Sequence, residues 1–259
     1  MKIAVTGKGG VGKTTLAAVL ARLYAAEGAS VLAADADPDA NLGLALGFTE
    51  EELRGLTPLS EMGALIAERT GAGREAYGRM FKINPRVDDI PDRFAVEKFG
   101  VKLLVMGTGE KGGAGCVCPE SVMLKRVISN IVTARDEAVI LDMEAGLEHL
   151  GRGTADFVDR FIVVIEPGAR SIQTYRQVKK LAGDLGVVNI CVVANKVRGA
   201  DDRAFLEERI PPEELMGFIS YDDNVIKADR ASVSPFDTCP GTVDEIRGIF
   251  ERAKSFHME

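Results

Sequence analysis

The run Gly7-Lys8-Gly9-Gly10-Val11-Gly12-Lys13-Thr14 has the spacing G-x-x-x-x-G-K-[ST]. Glycines let consecutive backbone N–H groups close around phosphate oxygens, and a helix opening at Lys13 adds the partial positive charge of its N-terminus. Lys13 is then expected to bind the β- and γ-phosphates and the Thr14 hydroxyl to ligate Mg²⁺. Gly9, Gly10, Val11, Gly12 and Thr15 complete the expected cradle. The apolar run Ala138-Val139-Ile140-Leu141-Asp142 ends on a carboxylate. That pattern suits a group that holds a magnesium-bound water, and Asp142 is assigned this role.

A third cluster is Val192-Val193-Ala194-Asn195-Lys196-Val197-Arg198. The Asn195 amide offers both a donor and an acceptor to a purine edge, and Lys196 is placed beside it in the nucleotide site. GTPases use Asn-Lys-x-Asp, in which the aspartate accepts from guanine. Arg198 stands in that place here, and a cation cannot accept, so the expected nucleotides are ATP and ADP. The fourth cluster is Gly115-Cys116-Val117-Cys118-Pro119. A tetrahedral thiolate site needs four ligands, and this pair supplies two. Cys191 and Cys239 could add two from the same chain, but Cys191 sits mid-strand and Cys239 in a late turn. A twofold dimer reaches four more simply, with Cys116 and Cys118 from each chain. Such a site suits Zn²⁺, Ni²⁺ or Cu⁺.

Short Val- and Ile-rich runs at 2–6, 30–34, 101–106, 138–142, 160–166, 187–194 and 215–219 read as strands buried on both faces. Helices fit between them, from near Lys13, Pro119, Ala169, Asp201 and Asp223. This alternation predicts an α/β fold, a mostly parallel twisted sheet with helices on both faces. The phosphate loop, Asp142 and Asn195 each fall where a predicted strand ends. One P-loop ATPase domain over 1–259 is expected, with an insertion at about 49–100. The stretch 242–256 puts Ile246, Ile249, Phe250 and Ala253 on one helical face, which predicts docking onto the core.

The chain of 259 residues is 46% apolar, enough for a sizeable core, and carries a net charge of -7. With no block of like charge, DNA and anionic membranes are not expected partners. No signal-peptide core or membrane-length apolar run is visible, so a cytoplasmic location is expected. The four cysteines are then thiols or metal ligands rather than disulfides.

The complete run Gly-Lys-Gly-Gly-Val-Gly-Lys-Thr-Thr resembles the deviant Walker A loop of the MinD, ParA, nitrogenase iron protein and arsenite-pump ATPase family. That resemblance implies a homodimer in which Lys8 crosses the interface to the partner's nucleotide. Asp35-Ala36-Asp37-Pro38-Asp39-Ala40-Asn41 resembles the family's first switch. It implies that Asp37 orients the attacking water and that Asp35 lies nearer Mg²⁺. Asp142-Met143-Glu144-Ala145-Gly146 resembles the second switch, with Glu144 where the family often has proline. Gly-Cys-Val-Cys-Pro, Asp-Met-Glu-Ala-Gly-Leu-Glu-His-Leu-Gly-Arg-Gly and Asn-Pro-Arg-Val-Asp-Asp-Ile-Pro are similar to CooC-type nickel-insertion ATPases. The likeness implies Ni²⁺ (or Zn²⁺) on Cys116 and Cys118. It also implies carbon monoxide dehydrogenase or acetyl-CoA synthase as the client. His149 could add a ligand, although a structural role suits it better. Two rival readings remain open from residues alone, an ATP-switched spatial regulator and an iron–sulfur reductase.

Overall fold

The computed structural model describes residues 1–72, 80–107, 118–144, 154, 156–187 and 189–255. In chain order the elements are β1 (Lys2–Gly7), α1 (Lys13–Ala26), β2 (Val31–Ala36), α2 (Leu42–Leu46) and α3 (Glu50–Leu53). A single 3-10 turn (Leu59–Glu61) precedes α4 (Gly63–Thr70), α5 (Ile90–Phe94), β3 (Val96–Lys98), β4 (Val101–Val105) and α6 (Pro119–Ala134). Then follow β5 (Ala138–Met143), β6 (Arg160–Ile165), α7 (Ala169–Leu185), β7 (Ile190–Val197) and α8 (Ala200–Glu207). The chain closes with β8 (Leu215–Ser220), α9 (Asp223–Arg230), α10 (Pro235–Thr238) and α11 (Pro240–Ser255).

The strands form one sheet of eight in the order β3-β4-β2-β5-β1-β6-β7-β8. All neighbours pair in parallel except β3 with β4. Side chains alternate between the two faces of a strand, and both faces here are apolar. Val5, Ala33, Ile140 and Ile162 pack with Leu16, Leu20 and Leu23 of α1 and with Ile246 and Phe250 of α11. Ala4, Leu32, Leu141 and Phe161 pack with Met123, Val127, Ile128 and Ile131 of α6. Further along the sheet, Val163, Ile165, Val192 and Ala194 cluster with Ile172, Tyr175 and Val178 of α7. Each Val, Leu, Ile, Phe or Met side chain among them contributes about 1.5–3 kcal/mol by leaving water. The predicted α/β class and the docking of the last helix are both observed.

Two features differ from expectation. Strand β7 begins at Ile190 and runs through Val197. The preceding helix consumes the earlier residues: Gly186 caps it at φ +84, and Val187 N donates to Ala182 O. This left-handed cap needs glycine and delays the strand, which carries Asn195 and Lys196 inside β7. The second is β3, a three-residue edge strand inside the stretch expected to be an insertion. Val96-Glu97-Lys98 is too short to show a strand period. Elsewhere in that stretch, Thr49 and Glu52 form a reciprocal capping box on α3. Arg135, just after α6, clamps Asp92 of α5 with two 2.8 Å bonds.

Candidate nucleotide site

Parallel strands all end on one edge, and loops at the carboxyl edge of such sheets form ligand crevices. The phosphate loop follows β1, Asp35 and Asp37 lie at the end of β2, and Asp142 and Glu144 at the end of β5. Asn195 and Lys196 close β7, and Ser220 closes β8. The order β2-β5-β1 places both switch strands beside one another and next to the loop. The loop, Asp37, Glu144, Asn195, Lys196 and Ser220 line one cavity of about 770 Å³.

The loop conformation requires glycine at two places. Gly12 takes φ +97, and a Cβ there would stand 2.1 Å from Asn195 Nδ2. A Cβ on Gly7 would meet Val164 O at 2.4 Å. Helix α1 opens at Lys13 with Gly12 as its N-cap and no side-chain cap, so its first N–H groups are left for a ligand.

Beneath the loop lie two carboxylates with no solvent exposure, Asp35 and Asp142. They face each other in register across β2 and β5. Burial, then the charge of Asp142, pushes Asp35 up to about 7, although Leu42 N and Asp37 N donate to it at 2.9 and 3.3 Å. Burial pushes Asp142 up to about 6, with the Thr14 hydroxyl and the Lys13 charge pulling the other way. Neither Asp142 oxygen accepts a hydrogen bond of ordinary geometry. Such orphaned buried oxygens are costly, and a hydrated cation would satisfy them. The residues present therefore fit Mg²⁺, which Thr14 would hold through its hydroxyl and Asp35 and Asp142 through bound water.

Lys13 is 6% exposed and pairs with Asp37 at 3.4 Å. Asp37 in turn accepts from Asp39 N at 3.1 Å, a local turn just after β2. Lys8 is half-buried and, among the described residues, carries no ion pair within its own chain. The Thr6 hydroxyl donates to Glu144 O at 2.5 Å, which anchors the start of the second switch where the resemblance led one to expect proline.

The far end of the cavity was not foreseen. Ser220, Tyr221, Asp222, Val225 and Ile226 line the same cavity as Asn195 and form one wall of it. Glu245 of α11 holds Ser220 through its N–H and its hydroxyl, both at 2.7 Å. The Arg198 guanidinium stacks on the Tyr221 ring at 4.1 Å. The signal available in the sequence was only the strand end at Ser220 followed by Asp222, which caps α9. The Asn195 amide is already engaged: Nδ2 donates to Val11 O and Oδ1 accepts from Lys196 N, each at 2.8 Å.

Residues 2–236 match the CobQ/CobB/MinD/ParA nucleotide binding domain. The chain belongs to that family. It is 49% identical to the carbon monoxide dehydrogenase accessory protein CooC of Rhodospirillum rubrum, over 96% of this chain and 94% of that one. An uncharacterised ATP-binding protein of Methanocaldococcus jannaschii is 48% identical, over 96% of each chain. Within the MinD/ParA family the chain is thus of the CooC type. The fold matches solved structures of more distant members. The MinC:MinD cell division complex of Aquifex aeolicus aligns at TM-score 0.67 with 17% identity, covering 98% of this chain and 96% of that one. A ParA family ATPase of Chlorobium tepidum aligns at 0.64 with 17% identity, covering 97% of each.

Against that family frame, Cys118 is the N-cap of α6, with Ser121 N donating to its Sγ at 3.4 Å. Cys116 and His149 lie outside the described residues. Cys191 is 8% and Cys239 1% exposed, and burial raises the Cys191 thiol pKa. Among the described residues no three His, Cys, Asp or Glu side chains form a metal cage, and no helix is long and apolar enough to cross a membrane.

Proposed function

We propose that the chain is a Mg-dependent ATPase that carries nickel as cargo on Cys116 and Cys118, shared between two copies, and inserts it into carbon monoxide dehydrogenase or acetyl-CoA synthase. The observation that carries this reading is the position of Cys118. It caps α6 at the carboxyl edge of the sheet, the edge that also holds the phosphate loop. The 49% identity to a carbon monoxide dehydrogenase accessory protein supports the client. Two thiolates per chain are half of a closed tetrahedral site, and a twofold pair completes it.

In this reading the triphosphate enters the loop and draws Lys13 away from Asp37 to the β- and γ-oxygens. Asp37, released, aligns the attacking water. Lys8 reaches the partner's nucleotide and stabilises charge there, in the manner of an arginine finger. When bound, Mg²⁺ neutralises phosphate charge as the reaction proceeds. The Tyr221 wall takes the adenine, while the Asn195 amide holds the loop at Val11. Because Lys8 acts between chains, ATP would pull the two cysteine pairs together and hydrolysis would release them. The test is reactivation of nickel-free carbon monoxide dehydrogenase by the purified nickel-loaded protein. Activity that returns with ATP, and fails to return with the Lys13→Ala variant, is the expected result. Equal recovery with nickel alone would remove the insertion role.

A further inference from the structure

Two side chains near the end of β7 hold the phosphate loop by two consecutive carbonyls. Asn195 Nδ2 donates to Val11 O at 2.8 Å, and Lys196 Nζ donates to Gly10 O at 2.5 Å. Lys196 also lies 3.6 Å from Glu166, just after β6. Glu166 is itself fixed through its N–H, which donates to the hydroxyl of Ser171 at 3.1 Å, and Ser171 is 2% exposed. Lys196 takes a left-handed backbone, φ +59. A non-glycine residue rarely does so, and strain of this kind persists where surrounding contacts enforce it.

A trans peptide is planar, so its C=O and the following N–H point in opposite directions. Holding Gly10 O toward Lys196 turns Val11 N–H away from β7, inward to the loop. Holding Val11 O toward Asn195 turns Gly12 N–H the same way. Val11 N–H makes only a long 3.4 Å turn contact with Lys8 O, which leaves it available to a better acceptor. Two inward N–H groups of a glycine-rich loop are phosphate donors.

We infer that Lys196, anchored by Glu166, is a positioning residue that presets the N–H groups of the phosphate loop, rather than a contact to the base. This inference rests on the reading of the loop as a nucleotide phosphate site. It predicts a dependence on phosphate and not on base.

The test is calorimetric titration of the full chain with Mg²⁺ and ADP, GDP or inorganic tripolyphosphate. Lys196→Met keeps the bulk of the stem and removes the donor. It should weaken all three ligands by the same factor, roughly tenfold. The factor should be the same at about 0.1 and 1 M salt, because a hydrogen bond to a carbonyl is not screened as a free charge is. Lys196→Arg should recover most of the affinity, and Glu166→Gln should cost all three ligands about two- to threefold. Melting of the nucleotide-free variants should match the parent. A loss confined to ADP would make Lys196 a base contact and overturn the inference. So would a loss that vanishes at high salt, or parent affinity in Lys196→Met. Failure of the parent itself to bind any of the three would instead overturn the nucleotide site.

Discussion

The carboxyl edge of the sheet carries two regions built in opposite ways. At the phosphate end, the groups proposed to hold a triphosphate come from one chain: the loop, Lys13, Thr14 and Asp37 at the cavity, and the buried carboxylates of β2 and β5. At the α6 end, the described part of one chain offers the single half-exposed sulfur of Cys118. The difference teaches where a second copy is needed. In the proposed reading a single chain binds the nucleotide, whereas the trans charge of Lys8 and a closed thiolate site both need the second copy.

The largest effect expected is at the phosphate end. Lys13→Ala removes the main phosphate charge and should lower ATP hydrolysis by about a thousandfold or more, followed by phosphate release. Metal binding by the cysteines should survive, because Lys13 does not touch them. Loss of both functions together would show the two regions to be one site.

Next are the cysteines. Cys118→Ser and Cys116→Ser should each weaken nickel or zinc binding by at least about a hundredfold in chelator competition. Serine is a good N-cap, so Cys118→Ser should leave α6 and the ATPase rate intact. Cys191→Ser should change metal affinity little, since Cys191 is buried in the core. A similar loss in Cys191→Ser would point to a cluster within one chain.

Asp37→Asn should slow hydrolysis by about a hundredfold while Mg-ATP stays bound, because the amide keeps size and loses charge. Turnover at the parent rate would remove Asp37 from the reaction.

The smallest effect is one of stability and belongs to the buried pair. Asp35 and Asp142 are raised to about 7 and about 6 in the folded chain, from an ordinary 3.8. The folded chain thus binds more protons than the unfolded chain between about pH 4 and 7, and these groups cost stability as pH rises through that window. Asp142→Asn should therefore raise the melting temperature of the nucleotide-free protein at pH 8 by about 2–4 °C, with less gain at pH 5. Equal gain at both pH values would mean that the carboxyl is not the source. The same substitution should impair Mg-dependent hydrolysis, a trade of stability for function.

Much of the phosphate end was legible in the sequence because backbone geometry demands particular residues there. Gly7 and Gly12 have no room for a Cβ, and Lys13, Thr14 and Asp142 follow at fixed offsets from strand ends. The sheet was legible because its strands are buried on both faces and therefore uniformly apolar. The cavity wall at Ser220 and Tyr221 was not, since Ser220 is held there by Glu245 of α11. That contact joins residues 25 positions apart and leaves no period in the chain. Edge strand β3 escaped for the same reason, as its pairing with β4 and not its composition makes it a strand.

The central claim is that two chains share one metal. Size-exclusion chromatography with inline metal analysis, on protein loaded with nickel and without nucleotide, tests it most directly. The account predicts a dimer that holds about one metal per two chains and reverts to monomer when the metal is chelated or acid protonates the thiolates. A monomer that retains one tightly bound metal would contradict it.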